Sequence, residues 1–180
     1  MVGRGPTGGA SGCGGIDATM MRAICLSLAI LLYPVVVSAQ DRKVRDAAAW
    51  PEDRQAIAQR VGDVLAVSSL VLPCLVDDRH TDCWKDQAIR TGVVLGATEL
   101  TKRLVKRTRP DGSDRKSFYS MHTALTCVSA MNRTDSKAQW WGAALCGIVG
   151  YLRIAGDKHW FTDVLVGGGV GATVALSWGR

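Results

Sequence analysis

The sequence predicts an all-α fold, a helical bundle of about five helices behind an N-terminal apolar segment. Three observations predict it: apolar residues recur at helical spacing through long segments, prolines and polar turns punctuate those segments, and the period-two alternation of strands is largely absent. A chain of 180 residues, 47% of them hydrophobic, is long enough to bury one core, so residues 40–180 are expected to form a single domain.

Residues 1–39 are expected to stand apart from that domain. The first 19 carry seven glycines and no apolar period, the composition of a disordered extension or of an over-long start with Met20 or Met21 as the first residue. The following MMRAICLSLAILLYPVVVSAQ joins a basic flank at Arg22 to an apolar run and then to small residues before Gln40, which is a signal-peptide profile. An uncleaved membrane anchor is the alternative, since roughly 20 residues suffice to cross a bilayer. Either one exports the domain. Cleavage after Ala39 leaves Cys74, Cys83, Cys127 and Cys146, an even set suited to an oxidising compartment. Of the three possible pairings, Cys74 with Cys83 needs the shortest loop closure. A metal site built from Cys74, His80 and Cys83 lacks a fourth ligand and a known spacing.

The elements follow in order. DRKVRDAAAWPEDRQ reads as a polar lead-in, and IAQRVGDVLAVSSLVLPCLV as a first helix ending near Pro73. A second helix fits KDQAIRTGVVLGATELTKRLVKRT and must stop before Pro110, because the residue ahead of a proline avoids the α region. PDGSDRK is a loop by composition. Ser120 is placed to cap a third helix, MHTALTCVSAMN. SKAQWWGAALCGIVGYLRI and WFTDVLVGGGVGATVALSW make the fourth and fifth, and glycines 167, 168, 169 and 171 permit close helix contact in the last. No charge-free window in these five segments reaches the roughly 17 residues of a spanning helix, which favours a soluble or peripheral bundle.

The formal net charge is +6, and residues 102–116 alone hold seven Lys and Arg against two Asp. So local an excess points to a specific anion site more than to general attraction to nucleic acid. Lys102, Lys106 and Arg109 fall at i, i+4 and i+7, one face of a continuing helix. A second cluster, SFYSMHTA, puts the Ser120 hydroxyl, free backbone amides and His122 at a helix start, where phosphate oxygens are readily held. In the third, RIAGDKHWFTD, His159 and Asp163 are four apart, so Asp163 can accept a bond from one ring nitrogen and leave the other directed outward, while Arg153 brings a planar oxygen-binding fork to the same turn. Each cluster alone has a plain reading: a solvated helix end, a capping serine, a stabilising His and Asp pair. Two of the chain's three histidines nevertheless fall among them, and together they are stronger than apart.

In order and spacing these clusters resemble the motifs of the type 2 phosphatidic acid phosphatase superfamily, which also includes bacterial class A acid phosphatases and vanadium haloperoxidases. Lys102 followed after six residues by Arg109-Pro110 matches the first motif. Tyr119-Ser120-Met121-His122 keeps the serine and histidine of Pro-Ser-Gly-His, and Arg153, His159 and Asp163 match the third, with Leu152 in place of its serine. The resemblance covers roughly residues 60–178. It implies that His159 attacks phosphorus and forms a phosphohistidine, that Asp163 steadies the resulting imidazolium, and that His122 protonates the leaving alkoxide and then activates water. Lys102, Arg109, Arg153, Ser120 and the backbone around Met121 would bind the phosphoryl oxygens, with no metal or other cofactor required.

The expected activity is thus hydrolysis of a phosphomonoester or lipid pyrophosphate, with a bell-shaped pH profile. A non-catalytic lipid-phosphate binder and a vanadate-dependent haloperoxidase are the alternatives. Met121 and Tyr119 depart from the family within the phosphate cradle, and with Trp160 they would either set apolar surface beside the site or serve in packing. The expected partner is a phosphate-bearing small molecule or lipid, not nucleic acid. The expected place is at or near the bacterial inner membrane, with the site facing the periplasm.

Overall fold

The computed structural model describes residues 39–75, 80–131 and 136–177. Among them six α-helices form: α1 Ala39–Ala48, α2 Glu52–Leu75, α3 His80–Leu104, α4 Met121–Ala130, α5 Ser136–Ala155 and α6 Phe161–Ser177. The all-α bundle is as the sequence predicts. The apolar segment proposed as signal peptide or anchor lies, up to residue 38, outside the described residues.

α4 is the axle of the bundle. It is ten residues long, seven of them buried, and α2, α3, α5 and α6 all pack against it. Enclosure on every side explains why MHTALTCVSA carries no Lys, Arg, Asp or Glu. Its tightest neighbour is α6, where Cβ atoms at Gly167 and Gly171 would collide with the carbonyl oxygens of Ser120 and Ala124. Two glycines four apart therefore let the helices meet backbone to backbone. By contrast Gly169 faces open space. The contact brings the Ser120 N–H to the Asp163 carbonyl at 3.0 Å, so motifs two and three are joined through the main chain. Disulfides tie Cys74 to Cys83, between α2 and α3, and Cys127 to Cys146, between α4 and α5.

Helices α2 and α3 each begin about five residues before the expected start, and two further differences from expectation bear on the site. The lead-in expected to be irregular holds α1. Its sequence has good helix formers but no apolar stripe, and polar contacts fix it: Asp41 is fully buried, and Arg45 Nε and Nη2 grip the Asp157 carboxylate at 2.6 and 2.7 Å. At the other boundary α3 stops at Leu104, four residues early, and the chain runs irregularly to Ser120. Lys102, Lys106 and Arg109 consequently do not share a helix face. Arg107 sits between them as a buried side chain, turned inward to two buried carboxylates.

Large apolar side chains are exposed along α2, α3, α5 and α6, among them Val64, Val67, Leu100, Leu104 (74% exposed), Trp140 (77%), Trp141 (78%) and Leu165. α2 is long and apolar enough to cross a membrane by length and composition.

Candidate active site

His159 lies in the short turn between α5 and α6 and is 1% exposed. Its Nδ1 is 2.7 Å from the Ser117 carbonyl oxygen. A carbonyl only accepts, so Nδ1 carries the proton and Nε2 keeps the lone pair. Asp163 does not make this bond, contrary to the sequence expectation: its Oδ2 is 3.8 Å from Nδ1, beyond hydrogen-bond range. The Asp163 carboxylate instead accepts from Arg107 Nη1, from Ser117 Oγ and, at 3.0 Å, from the Trp160 N–H. It acts on His159 through charge. Burial pushes the His159 pKa below the ordinary imidazole value, Asp163 opposes this, and the Arg153 and Arg109 guanidinium groups add to the depression. At neutral pH the ring is a neutral base.

Behind Asp163 the network continues. Arg107 Nη2 binds Asp41 Oδ2 at 2.7 Å and Nη1 donates to Thr162 Oγ1 at 2.7 Å, while Asp41 accepts the Thr162 N–H at 2.9 Å. The Trp160 ring stands 5.9 Å from the Arg107 guanidinium carbon, and its Nε1 donates to the Thr108 carbonyl. Trp160 is thus part of this wall and not an apolar lip beside the site. Arg107, Ser117 and Asp41 were not singled out from sequence. Arg107 is one basic residue in a run of seven, and only burial distinguishes it.

The opposite side is more open. His122 sits in the first turn of α4, with Nε2 3.1 Å from Asp63 Oδ1; the same oxygen accepts from Arg153 Nη1 at 2.7 Å. Asp63 comes from α2, beside Gly62, whose backbone lies against Leu152 and the Arg153 side chain. Leu152, where the family has serine, is buried with Ala58 and Ala155. Lys102, in the last turn of α3, lines a cleft of about 500 Å³ with Lys106, Arg115 and Lys116. Arg109 is held by Asp114, Nε to Oδ1 at 2.7 Å. His122 lies within electrostatic reach of His159, Arg153 and Lys102, as does His159 of Arg153 and Arg109, so these five groups, with Asp163, gather about one place.

The Ser120 hydroxyl, an expected phosphate ligand, is placed otherwise, while the expectation for Met121 concerned its backbone and is untouched by where its side chain packs. Ser120 precedes α4 but makes no side-chain cap; it is fully buried, and its Oγ accepts from Thr123 Oγ1 at 2.9 Å. Met121 packs against the core cluster of Val94, Phe118, Tyr119, Ala124, Leu125, Val128 and Ala175. Tyr119 belongs to that core too, so neither departure from the family motif projects apolar bulk into the cradle. The alternative metal set also loses both sulfurs, since Cys74 and Cys83 are joined.

A solved structure with this arrangement of helices is a transmembrane PAP2-type phosphatidylglycerolphosphate phosphatase from Bacillus subtilis, with a TM-score of 0.62 and 18% identity, covering 87% of this chain and 92% of that one. In sequence, the lipid A 1-phosphatase of Porphyromonas gingivalis is 31% identical over 93 residues, 48% of this chain. The chain shares the fold of that phosphatase and, over part of its length, the sequence of the lipid A 1-phosphatase. It spans about a fifth (21%) of the length of the lipid A 1-phosphatase it matches. No family model matches the sequence. In the wall behind His159 a carbonyl, not a carboxylate, holds the imidazole, and Asp163 is committed to Arg107.

Proposed function

We propose that the protein is a metal-independent phosphatase acting on a lipid phosphate or pyrophosphate through a phosphohistidine. His159 Nε2 attacks phosphorus as the P–O bond to the leaving group breaks. The proton carried by His122 goes to the departing oxygen. His122 then takes a proton from water as that water attacks phosphorus, the P–N bond breaks, and inorganic phosphate leaves. Arg153, Arg109 and Lys102 spread positive charge where the equatorial oxygens gain negative charge. The observation that carries this reading is the 2.7 Å bond from His159 Nδ1 to the Ser117 carbonyl, which leaves one unprotonated nitrogen in a cationic surround.

The substrate class rests on the lipid phosphatases named above and on the apolar surface of α2, α3, α5 and α6, which suits a membrane-embedded bundle. Such a surface reverses the preference for a soluble or peripheral bundle taken from charge-free windows, since helices of 20 to 25 residues tolerate charges near their ends. The single domain over 40–180 and a site facing the periplasm belong to the same proposal. A carbonate wash of membranes checks the placement: the protein stays with the pellet.

Activity is tested by hydrolysis of p-nitrophenyl phosphate and of phosphatidic acid in mixed micelles containing EDTA. Turnover inhibited by vanadate and abolished by His159→Ala is expected. Undiminished turnover in His159→Ala overturns the mechanism, and binding of phosphatidic acid without turnover in the wild type makes the protein a lipid-phosphate binder instead.

A further inference from the structure

We infer that Asp41, on the first helix and far in sequence from every motif, is a positioning residue for the reaction: it offsets the charge of Arg107 so that Asp163 can act on His159. The inference rests on the phosphohistidine reading.

Asp163 and Arg107 form a buried ion pair. Taken alone that pair is neutral, and a neutral pair gives an imidazolium at His159 little electrostatic support. Asp41 changes the sum. It binds the other arm of the same guanidinium at 2.7 Å and is itself fully buried, so the three groups together carry one net negative charge behind His159. The arginine is held from two sides by planar, charge-assisted bonds, which fixes the Asp163 carboxylate in turn. Thr162 completes the linkage: its N–H and hydroxyl both reach Asp41, and its hydroxyl also accepts from Arg107. Thr162 adjoins Asp163 in the first turn of α6, so α1 is keyed to the helix that carries the catalytic carboxylate.

The other charges that face His159 are cations or lie further forward. Arg153 comes from the end of α5 and Arg109 from the segment after α3; His122 of α4 stands across the site, beside Asp63 of α2 and within reach of Lys102 of α3. None of these answers Arg107. Removing the Asp41 charge therefore leaves a positive field around a ring that must become positive when phosphorylated. The expected loss is in kcat, with KM little changed, because the charge is needed when the imidazolium forms and not when the substrate binds.

The test is a charge cycle on the full chain in detergent, reading the His159 titration by NMR of isotopically labelled histidine beside steady-state kinetics. Formal charge behind the ring is −1 in the wild type, 0 in Asp41→Asn, −2 in Arg107→Gln and −1 in the double variant. The His159 titration is expected to rise by roughly one unit in Arg107→Gln, to fall in Asp41→Asn, and to return near the wild-type position in the double variant. Asp41→Asn is expected to lower kcat about 10- to 100-fold.

A role in packing alone predicts no such order of signs, and an unmoved titration in a folded Asp41→Asn variant, or a double variant that titrates with Asp41→Asn instead of near the wild type, overturns the inference. If Arg107→Gln does not fold, Asp41→Asn against the double variant still decides, since Asn keeps the shape of Asp41. The two readings fail separately. A wild type that shows the titration order yet hydrolyses no phosphate ester removes the phosphatase reading, whereas normal turnover with no titration order removes only the role of Asp41.

Discussion

The two histidines of the candidate site live in opposite kinds of surroundings. Around His159 every polar partner is buried and belongs to a chain of fixed bonds running from Ser117 through Asp163 and Arg107 to Asp41. Around His122 the partner is one carboxylate, Asp63, which is 52% exposed and shared with Arg153. A nucleophile must be held in one tautomer and one direction, and rigid buried bonds do that. An acid that exchanges its proton with leaving group and water must be able to change partners, and a half-exposed carboxylate permits it. Rigidity behind and exchange in front divide the site between α1, α6 and the 105–120 segment on one side, and α2, α4 and the end of α5 on the other.

The largest expected effect breaks the rigid half. His159→Ala removes the nitrogen proposed to attack phosphorus, and kcat should fall by about 10⁴ or more, to background. His122→Asn on the exchanging side should cost less, about 10²- to 10⁴-fold, because water can supply and take protons in its place. Substrates with an acidic leaving group sharpen the difference: p-nitrophenyl phosphate should recover much of the rate lost in His122→Asn and none of that lost in His159→Ala. Equal rescue of both would show that the two rings do not have the distinct roles assigned to them.

The fold was legible in the sequence because its signals are local. Helices α5 and α6 lie within a residue or so of expectation, and the glycine run of α6 correctly marked a close contact, though only Gly167 and Gly171 make it. The site was legible by motif spacing to the extent that His122, Arg153, His159, Asp163, Lys102 and Arg109 gather. What sequence could not reveal is the direction of side chains set by long-range packing. Met121 and Tyr119 turn to the core, Ser120 is sealed under Thr123, and Arg107, chemically indistinguishable from its basic neighbours, is the buried one. Asp41 was least visible, because its helix has no apolar stripe and its partners lie 66 and 121 residues away.

The pH dependence separates the halves by a different route. Burial lowers the His159 pKa in the folded state, and the proposed mechanism needs the ring neutral, so the acidic limb of kcat/KM is expected below the unperturbed imidazole value of about 6.5. Stability follows the same sign. Below about pH 6.5 the unfolded chain takes up a proton that folded His159 refuses, so stability is fully present above that pH and declines as pH falls toward the folded-state value. Thermal melting from pH 8 down to 5 should show a fall that is smaller in a folded His159→Gln variant. An identical fall in both would assign the acid sensitivity to other groups.

The smallest expected effect is on the exchanging half, and it tests whether Asp63 occupies the place of the substrate. Its Oδ1 takes a hydrogen bond from Arg153 and a close contact from His122, and an anionic phosphoryl oxygen would need the same two donors. Phosphate must displace this carboxylate, working against an attraction weakened by solvent because Asp63 is half exposed. Asp63→Asn keeps the shape and removes the competing charge, so KM and the inhibition constant for vanadate should each fall about 3- to 10-fold, a change of roughly 1 kcal/mol, while kcat moves less. If instead Asp63 orients His122 while substrate is bound, the same variant should leave KM alone and lower kcat. The geometry favours competition, since Asp63 contacts Nε2 and also closes on Arg153. An orienting partner would bind His122 and leave the oxygen-binding guanidinium free.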